Sequence, residues 1–120
     1  MGKAEPAIVL VCGGRDYADK RRVYEVLDGW DVELLIHGGA SGADSIAAAW
    51  AMEREVNCLR VPAKWKKHGR RAGPLRNREM AKMKPDVVLA FPGGRGTSDM
   101  ITTAHELGLN VVQIGEPSPG

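Results

Sequence analysis

Cysteine is scarce in this 120-residue chain, and the two present, Cys12 and Cys58, lie 46 positions apart. That spacing fits neither a zinc ligand set nor a disulfide framework, so two buried thiols are expected. His37, His68 and His105 have no ligand-like spacing with cysteines or acids, and no metal site or cofactor is expected. No apolar run approaches the roughly 18 residues of a membrane span. The opening Met1-Gly2-Lys3-Ala4-Glu5-Pro6 has no signal-peptide pattern, which predicts a cytoplasmic protein away from any membrane. Aromatics are few as well: Tyr17, Tyr24, Trp30, Trp50, Trp65 and Phe91.

Glycine is plentiful, at 15 residues, and 43% of the chain is apolar. One domain is expected over residues 7–115, with a tail at 1–6 and a flexible tail at 116–120. Apolar runs at 7–12, 32–37, 58–61, 86–91 and 111–114 read as strands. Residues 19–28, 42–55, 74–83 and 98–107 carry helical spacing. The alternation predicts a single Rossmann-like α/β domain, a mostly parallel five-stranded sheet with helices on both faces. Right-handed crossovers then place every strand-to-helix loop at the carboxyl edge, where open α/β sheets bind ligands.

Three of those loops carry Gly-Gly: Gly13-Gly14-Arg15-Asp16, Gly38-Gly39-Ala40-Ser41-Gly42-Ala43-Asp44, and Pro92-Gly93-Gly94-Arg95-Gly96-Thr97. Two of them feed helix N-termini, whose free N–H groups favour phosphate. Neither a P-loop nor a dinucleotide Gly-x-Gly-x-x-Gly fingerprint is present. Ser41 and Asp44 fit a capping-box-like pattern; alternatively, Asp44 or Asp16 holds a ribose hydroxyl. Residues 64–78 hold seven of the 17 basic residues and no acid, with Trp65 and His68 interleaved. Such a segment suits an anionic partner, either ligand phosphates or a nucleic-acid backbone. Arg76 and Arg78 are expected at the start of a helix, against its dipole.

The three glycine loops, together with Ala72-Gly73-Pro74-x-Arg76-Asn77, occur in an order that resembles the YspA-like branch of the SLOG superfamily. That superfamily includes the LOG phosphoribohydrolases and the DNA-processing protein DprA. The resemblance implies a Rossmann-like sheet binding a small-molecule nucleotide or nucleotide derivative. LOG-type enzymes cleave the N-glycosidic bond of a nucleoside 5′-monophosphate with a Pro-Gly-Gly-x-Gly-Thr-x-x-Glu motif and an upstream arginine. Pro92 to Thr97 match, and Arg76 or Arg78 matches the arginine, but Met100 stands where the glutamate belongs. Asp99, one residue earlier, is expected to point elsewhere, or to serve the helix dipole.

Binding therefore ranks above catalysis, with a sensor or sequestering protein as the leading expectation. Gly93, Gly94, Gly96 and Thr97 would cradle a phosphate, with Arg76 and Arg95 neutralising it and Asn77 beside them. Gly13, Gly14, Arg15, Gly38 and Gly39 would line the nucleoside side, with Asp44 on the ribose, and Asp16, Ala40 and Gly42 are expected among the ligand-binding residues. If the protein hydrolyses its ligand, Asp99, Asp44 and Arg78 are the catalytic candidates. A third alternative is DprA-like single-strand DNA binding, with Trp65 stacking on a base. A homodimer is suggested by related LOG proteins. The Ala-rich helix around Trp50 is either its contact or a helix packed on the sheet.

Overall fold

The computed structural model describes residues 5–115; the tail expected at 116–120 and most of that at 1–6 lie outside the described residues. Five strands form one sheet: β1 (Ala7–Cys12), β2 (Val32–His37), β3 (Asn57–Arg60), β4 (Val87–Ala90) and β5 (Val111–Gln113). All pairings are parallel and the order is β3-β2-β1-β4-β5. The chain starts in the centre, builds outward through β2 and β3, then returns to the other side of β1. The order thus reverses between β1 and β4, where Cys12 pairs with Ala90. The loops leaving those two strands must diverge there, which opens a crevice at the carboxyl edge.

Side chains along β1 alternate between two cores, as the period of a strand requires. Val9 and Val11 join Leu35, Val87 and Leu89 on one face, under α1 (Lys20–Asp28) and α2 (Ala43–Glu53). Leu10 and Cys12 join Ile36, Val88 and Ala90 on the other, under α4 (Ala72–Ala81) and α5 (Arg95–Glu106). Burial on both faces explains why β1 and β4 read as unbroken apolar runs. β3 differs: it is an exposed edge strand, and Cys58 on it is exposed rather than buried.

The Ala-rich α2 packs on the sheet. Ala47, Trp50 and Ala51 are buried in the core. The Trp50 indole N–H donates to Asp28 Oδ1 at 2.8 Å, tying α2 to α1. Asp28 also accepts twice from Arg54, at 3.0 Å each. Trp50 is therefore part of the monomer core.

The connection from β3 to β4 is more helical than the sequence pattern suggests. A one-turn helix α3 (Trp65–His68) and a 3-10 turn (Gly69–Arg71) precede α4, which begins at Ala72. Arg76 is thus mid-helix and Arg78 lies in the last turn, where a cation favours the dipole. Among the described residues no helix is long and apolar enough to cross a membrane.

Candidate functional site

The larger cavity, about 930 Å3, lies at the carboxyl edge where the strand order reverses. It is bounded by the first glycine loop, the α3–α4 connection and the start of α5, and both Cys12 and Met80 reach it from the core. A smaller cavity of about 310 Å3 adjoins it, sharing Arg15, Ala40, Trp65 and Arg76.

The glycines divide into two groups. Some serve packing between loops. A Cβ on Gly13 would sit 2.6 Å from the Ala43 Cβ, and one on Gly14 would sit 2.9 Å from the Pro92 carbonyl oxygen. Gly42 has φ +76°, and its Cβ would lie 2.1 Å from the Gly14 oxygen. Two backbone bonds clamp the same contact: Gly14 N–H to Pro92 O at 2.9 Å and Ala43 N–H to Gly14 O at 3.2 Å. Gly94 and Gly96 are different, because a Cβ on either meets nothing within 4 Å. Gly94 is the N-cap of α5, and the first intrahelical bond runs from Ser98 N–H to Gly94 O at 3.0 Å. The N–H groups of Arg95, Gly96 and Thr97 are consequently left without helix partners, beside the cavity these residues line.

Asp44 is buried, and its Oδ2 accepts from the N–H of Gly38 at 2.9 Å and of Ala40 at 3.3 Å. The expected capping box does not form, since Gly42 is the N-cap and makes no side-chain cap bond. Ser41 instead donates its hydroxyl to Arg15 O at 3.1 Å, lacing the first and second loops together. Burial raises the Asp44 pKa, opposed by the two N–H donors and by the charge on Arg76. Burial, with Asp44 adding to it, also pushes the Cys12 thiol up to about 12, so Cys12 stays protonated and apolar.

Arg76 is half-buried between the cavities. Its Nη1 donates to Gly38 O at 2.7 Å and Val61 O at 3.4 Å, and its Nε to Asn77 Oδ1 at 3.1 Å. A Cβ on Gly38 would sit 2.3 Å from this guanidinium, so glycine there leaves the space that the Arg76 side chain occupies. Burial lowers the Arg76 pKa, and Arg15 pushes it further down while Asp44 holds it up.

Asn77, also buried, spans α4 and α5. Its Nδ2 donates to Asp99 Oδ2 at 2.9 Å and to Gly96 O at 3.2 Å. Asp99 therefore faces the cavity, contrary to the expectation that it points elsewhere. The reason is that Met100 points into the core, which leaves Asp99, about 100° round the helix from it, on the side facing Asn77 of α4. Met100, in the position of the LOG glutamate, is fully buried against Met80 and Ala104.

Of the other expected site residues, Gly13, Gly14, Arg15, Ala40, Arg95 and Thr97 line the larger cavity, while Gly38 and Gly39 line the smaller one. Asp16, Gly42 and Gly93 line neither. Arg78 lines neither as well, and its Nη2 lies 3.9 Å from Glu106 Oε1. Of the basic residues in the 64–78 segment, Arg70 and Arg76 reach a cavity, as does Trp65, whereas the exposed Lys64, Lys66, Lys67 and Arg71 do not. Trp65 is 49% exposed, lines both cavities, and carries the Arg15 guanidinium 6.0 Å from its ring centre. Sequence reasoning missed Arg60 and did not single out Arg70. Arg60 ends β3 at the same carboxyl edge as the glycine loops, and that position was the available signal.

These features define a parallel α/β protein of Rossmann-like class, with a glycine-lined crevice at the switch point of its sheet. The X-ray structure of TM1055, a structural genomics target, shares this fold: TM-score 0.67, 19% identity, covering 87% of this chain and 71% of that one. Residues 7–68 match the family described as YspA, cpYpsA-related SLOG family. The chain also resembles the Gene 61 protein of Mycobacterium phage D29, with 37% identity over 123 residues, 90% of this chain and 96% of the phage protein. This chain belongs to the YspA, cpYpsA-related SLOG family.

Proposed function

We propose that the protein binds a phosphorylated nucleoside or nucleotide-derived ligand in the larger cavity, as a sensor or sequestering protein. One observation carries this reading: the N-terminus of α5, with open space where side chains on Gly94 and Gly96 would stand, borders the same cavity as Arg15, Arg70, Arg76 and Arg95. Helix N–H groups and guanidinium groups together suit a phosphate. Trp65 at the cavity's side offers a flat face for a base. The volume is within the usual range for small-molecule sites, about 300–1,000 Å3. Incubation with a mixed nucleotide pool, followed by mass spectrometry of free and bound fractions, tests it. One compound retained and recovered intact is the expected result, and no retention of any nucleotide would refute it.

A second reading rests on Asp99, whose carboxylate lines the cavity and is held by Asn77. Here the same pocket hydrolyses the N-glycosidic bond of a nucleoside 5′-monophosphate, and water yields free base and ribose 5-phosphate. Asp99 would stabilise the oxocarbenium-like sugar or take the proton of the attacking water. The same pool would then show free base, and Asp99→Asn should cut turnover by about a hundredfold or more. Binding is favoured because the glutamate position is filled by the buried, apolar Met100.

A further inference from the structure

The smaller cavity adds Arg60 to two arginines, Arg15 and Arg76, that it shares with the larger one. Arg15, Arg60 and Arg76 line it, and no carboxylate does. Each guanidinium is placed by the local fold. Gly39, at φ +76°, lets Arg60 lie flat against the second loop, where a Cβ would sit 2.3 Å from the Arg60 Nε. Arg76 is pinned by the carbonyls of Gly38 and Val61, and Arg15 sits over the Trp65 ring. Among the described residues, none of the three has a carboxylate within ion-pair distance.

Asp44 acts on Arg76 from beyond ion-pair distance, but no carboxylate lines the smaller cavity, and the like charges of Arg15 and Arg76 repel one another. The field of the arginines is felt nearby: Arg60 and Arg76 both add to the lowering of the His37 pKa that burial begins. An anion entering this space would relieve the repulsion and accept charge-assisted hydrogen bonds. The cavity's volume, about 310 Å3, is at the low end for small-molecule sites, room for a phosphorylated fragment. It is continuous with the larger cavity through Arg15, Ala40, Trp65 and Arg76, so one molecule can reach both.

We propose that the smaller cavity is a second phosphate subsite for the same ligand, so that the preferred ligand is a nucleoside carrying two separated phosphoryl groups, one on each side of Trp65. This rests on the nucleotide-binding reading of the larger cavity. The first phosphate lies at the N-terminus of α5; the second is held by Arg60, Arg15 and Arg76.

Amide NMR separates the two subsites. Titration with inorganic phosphate should move the Gly39 amide independently of those of Gly94 and Gly96. Arg60→Ala, a change on an exposed edge strand, should abolish the Gly39 response and leave the other two. Nucleoside 3′,5′-bisphosphates should bind the wild type at least about tenfold more tightly than the matching 5′-monophosphates, the size of one charge-assisted hydrogen bond. Arg60→Ala should erase that advantage. A Gly39 amide silent to phosphate, or a bisphosphate advantage that survives Arg60→Ala, overturns the subsite. A Gly39 response without any bisphosphate advantage means an independent ion site and overturns the shared ligand. If Gly39 responds while Gly94 and Gly96 stay silent, the larger cavity's reading fails and takes the shared ligand with it.

Discussion

The Asn77 side-chain amide donates to Asp99 Oδ2 across 2.9 Å, joining the middle of α4 to the second turn of α5 beside the larger cavity. The same nitrogen reaches Gly96 O at 3.2 Å. One buried amide thus positions both the carboxylate and the open glycine turn. Asn77→Ala removes both bonds and should destabilise the fold by about 1–3 kcal/mol. Urea unfolding at constant slope checks this, and a midpoint unchanged from wild type would show that the α4–α5 contact holds without it.

Gly42 and Gly94 should respond oppositely to a side chain. Gly42→Ala must put a Cβ 2.1 Å from the Gly14 oxygen at a φ of +76°, so the backbone itself has to move. A loss above about 1 kcal/mol in unfolding free energy is expected. Gly94→Val meets open space, and stability should stay within about 1 kcal/mol of wild type. Nucleotide retention should nevertheless vanish, because the valine occupies the approach to the α5 N–H groups. Retention surviving in Gly94→Val would move the phosphate elsewhere.

The strands and their order of use were legible because β1, β2 and β4 are buried on one or both faces and their side chains say so. The three glycine loops were legible too, as was Arg76 within a motif. Other features depend on helix phase, which glycine and proline obscure. Placing the start of α4 at residue 74 and that of α5 at 98 put Arg78 near a helix start and Asp99 in a first turn. The true starts, Ala72 and Arg95, put Arg78 in a last turn and Asp99 beyond the first one. Which glycines pack and which stay open was not legible at all. That distinction arises between loops distant in sequence, as when Gly14 meets Pro92.

Asp44 supports the second loop through Oδ2. Asp44→Ala strands the N–H groups of Gly38 and Ala40, and should cost about 1–3 kcal/mol. Asp44→Asn should cost less, because an amide oxygen still accepts from these groups and no charge is buried. Chemical denaturation of both variants gives the ranking. Equal losses would mean that the charge, and not the accepting oxygen, holds the loop.

His37 makes stability depend on mildly acidic pH. Its Nδ1 accepts from the Gly39 N–H at 3.0 Å, which requires the neutral ring. Burial, then Arg60 and Arg76, lower its pKa from the ordinary 6.5. The unfolded chain therefore takes up the His37 proton at a higher pH than the folded one. Stability from this residue is complete above about 6.5 and falls as pH drops through 6.5 toward the lowered folded value. Asp44 acts with the opposite sign. Its raised folded pKa makes the native state the better proton acceptor, so its contribution rises as pH falls through that value toward 3.8. The range from pH 7.5 to 5.5 brackets the ordinary histidine value of 6.5. Urea unfolding across that range should show a decline in the wild type that His37→Asn flattens, since an asparagine can still accept from Gly39 but does not titrate. A decline of the same size in His37→Asn would remove His37 as its source.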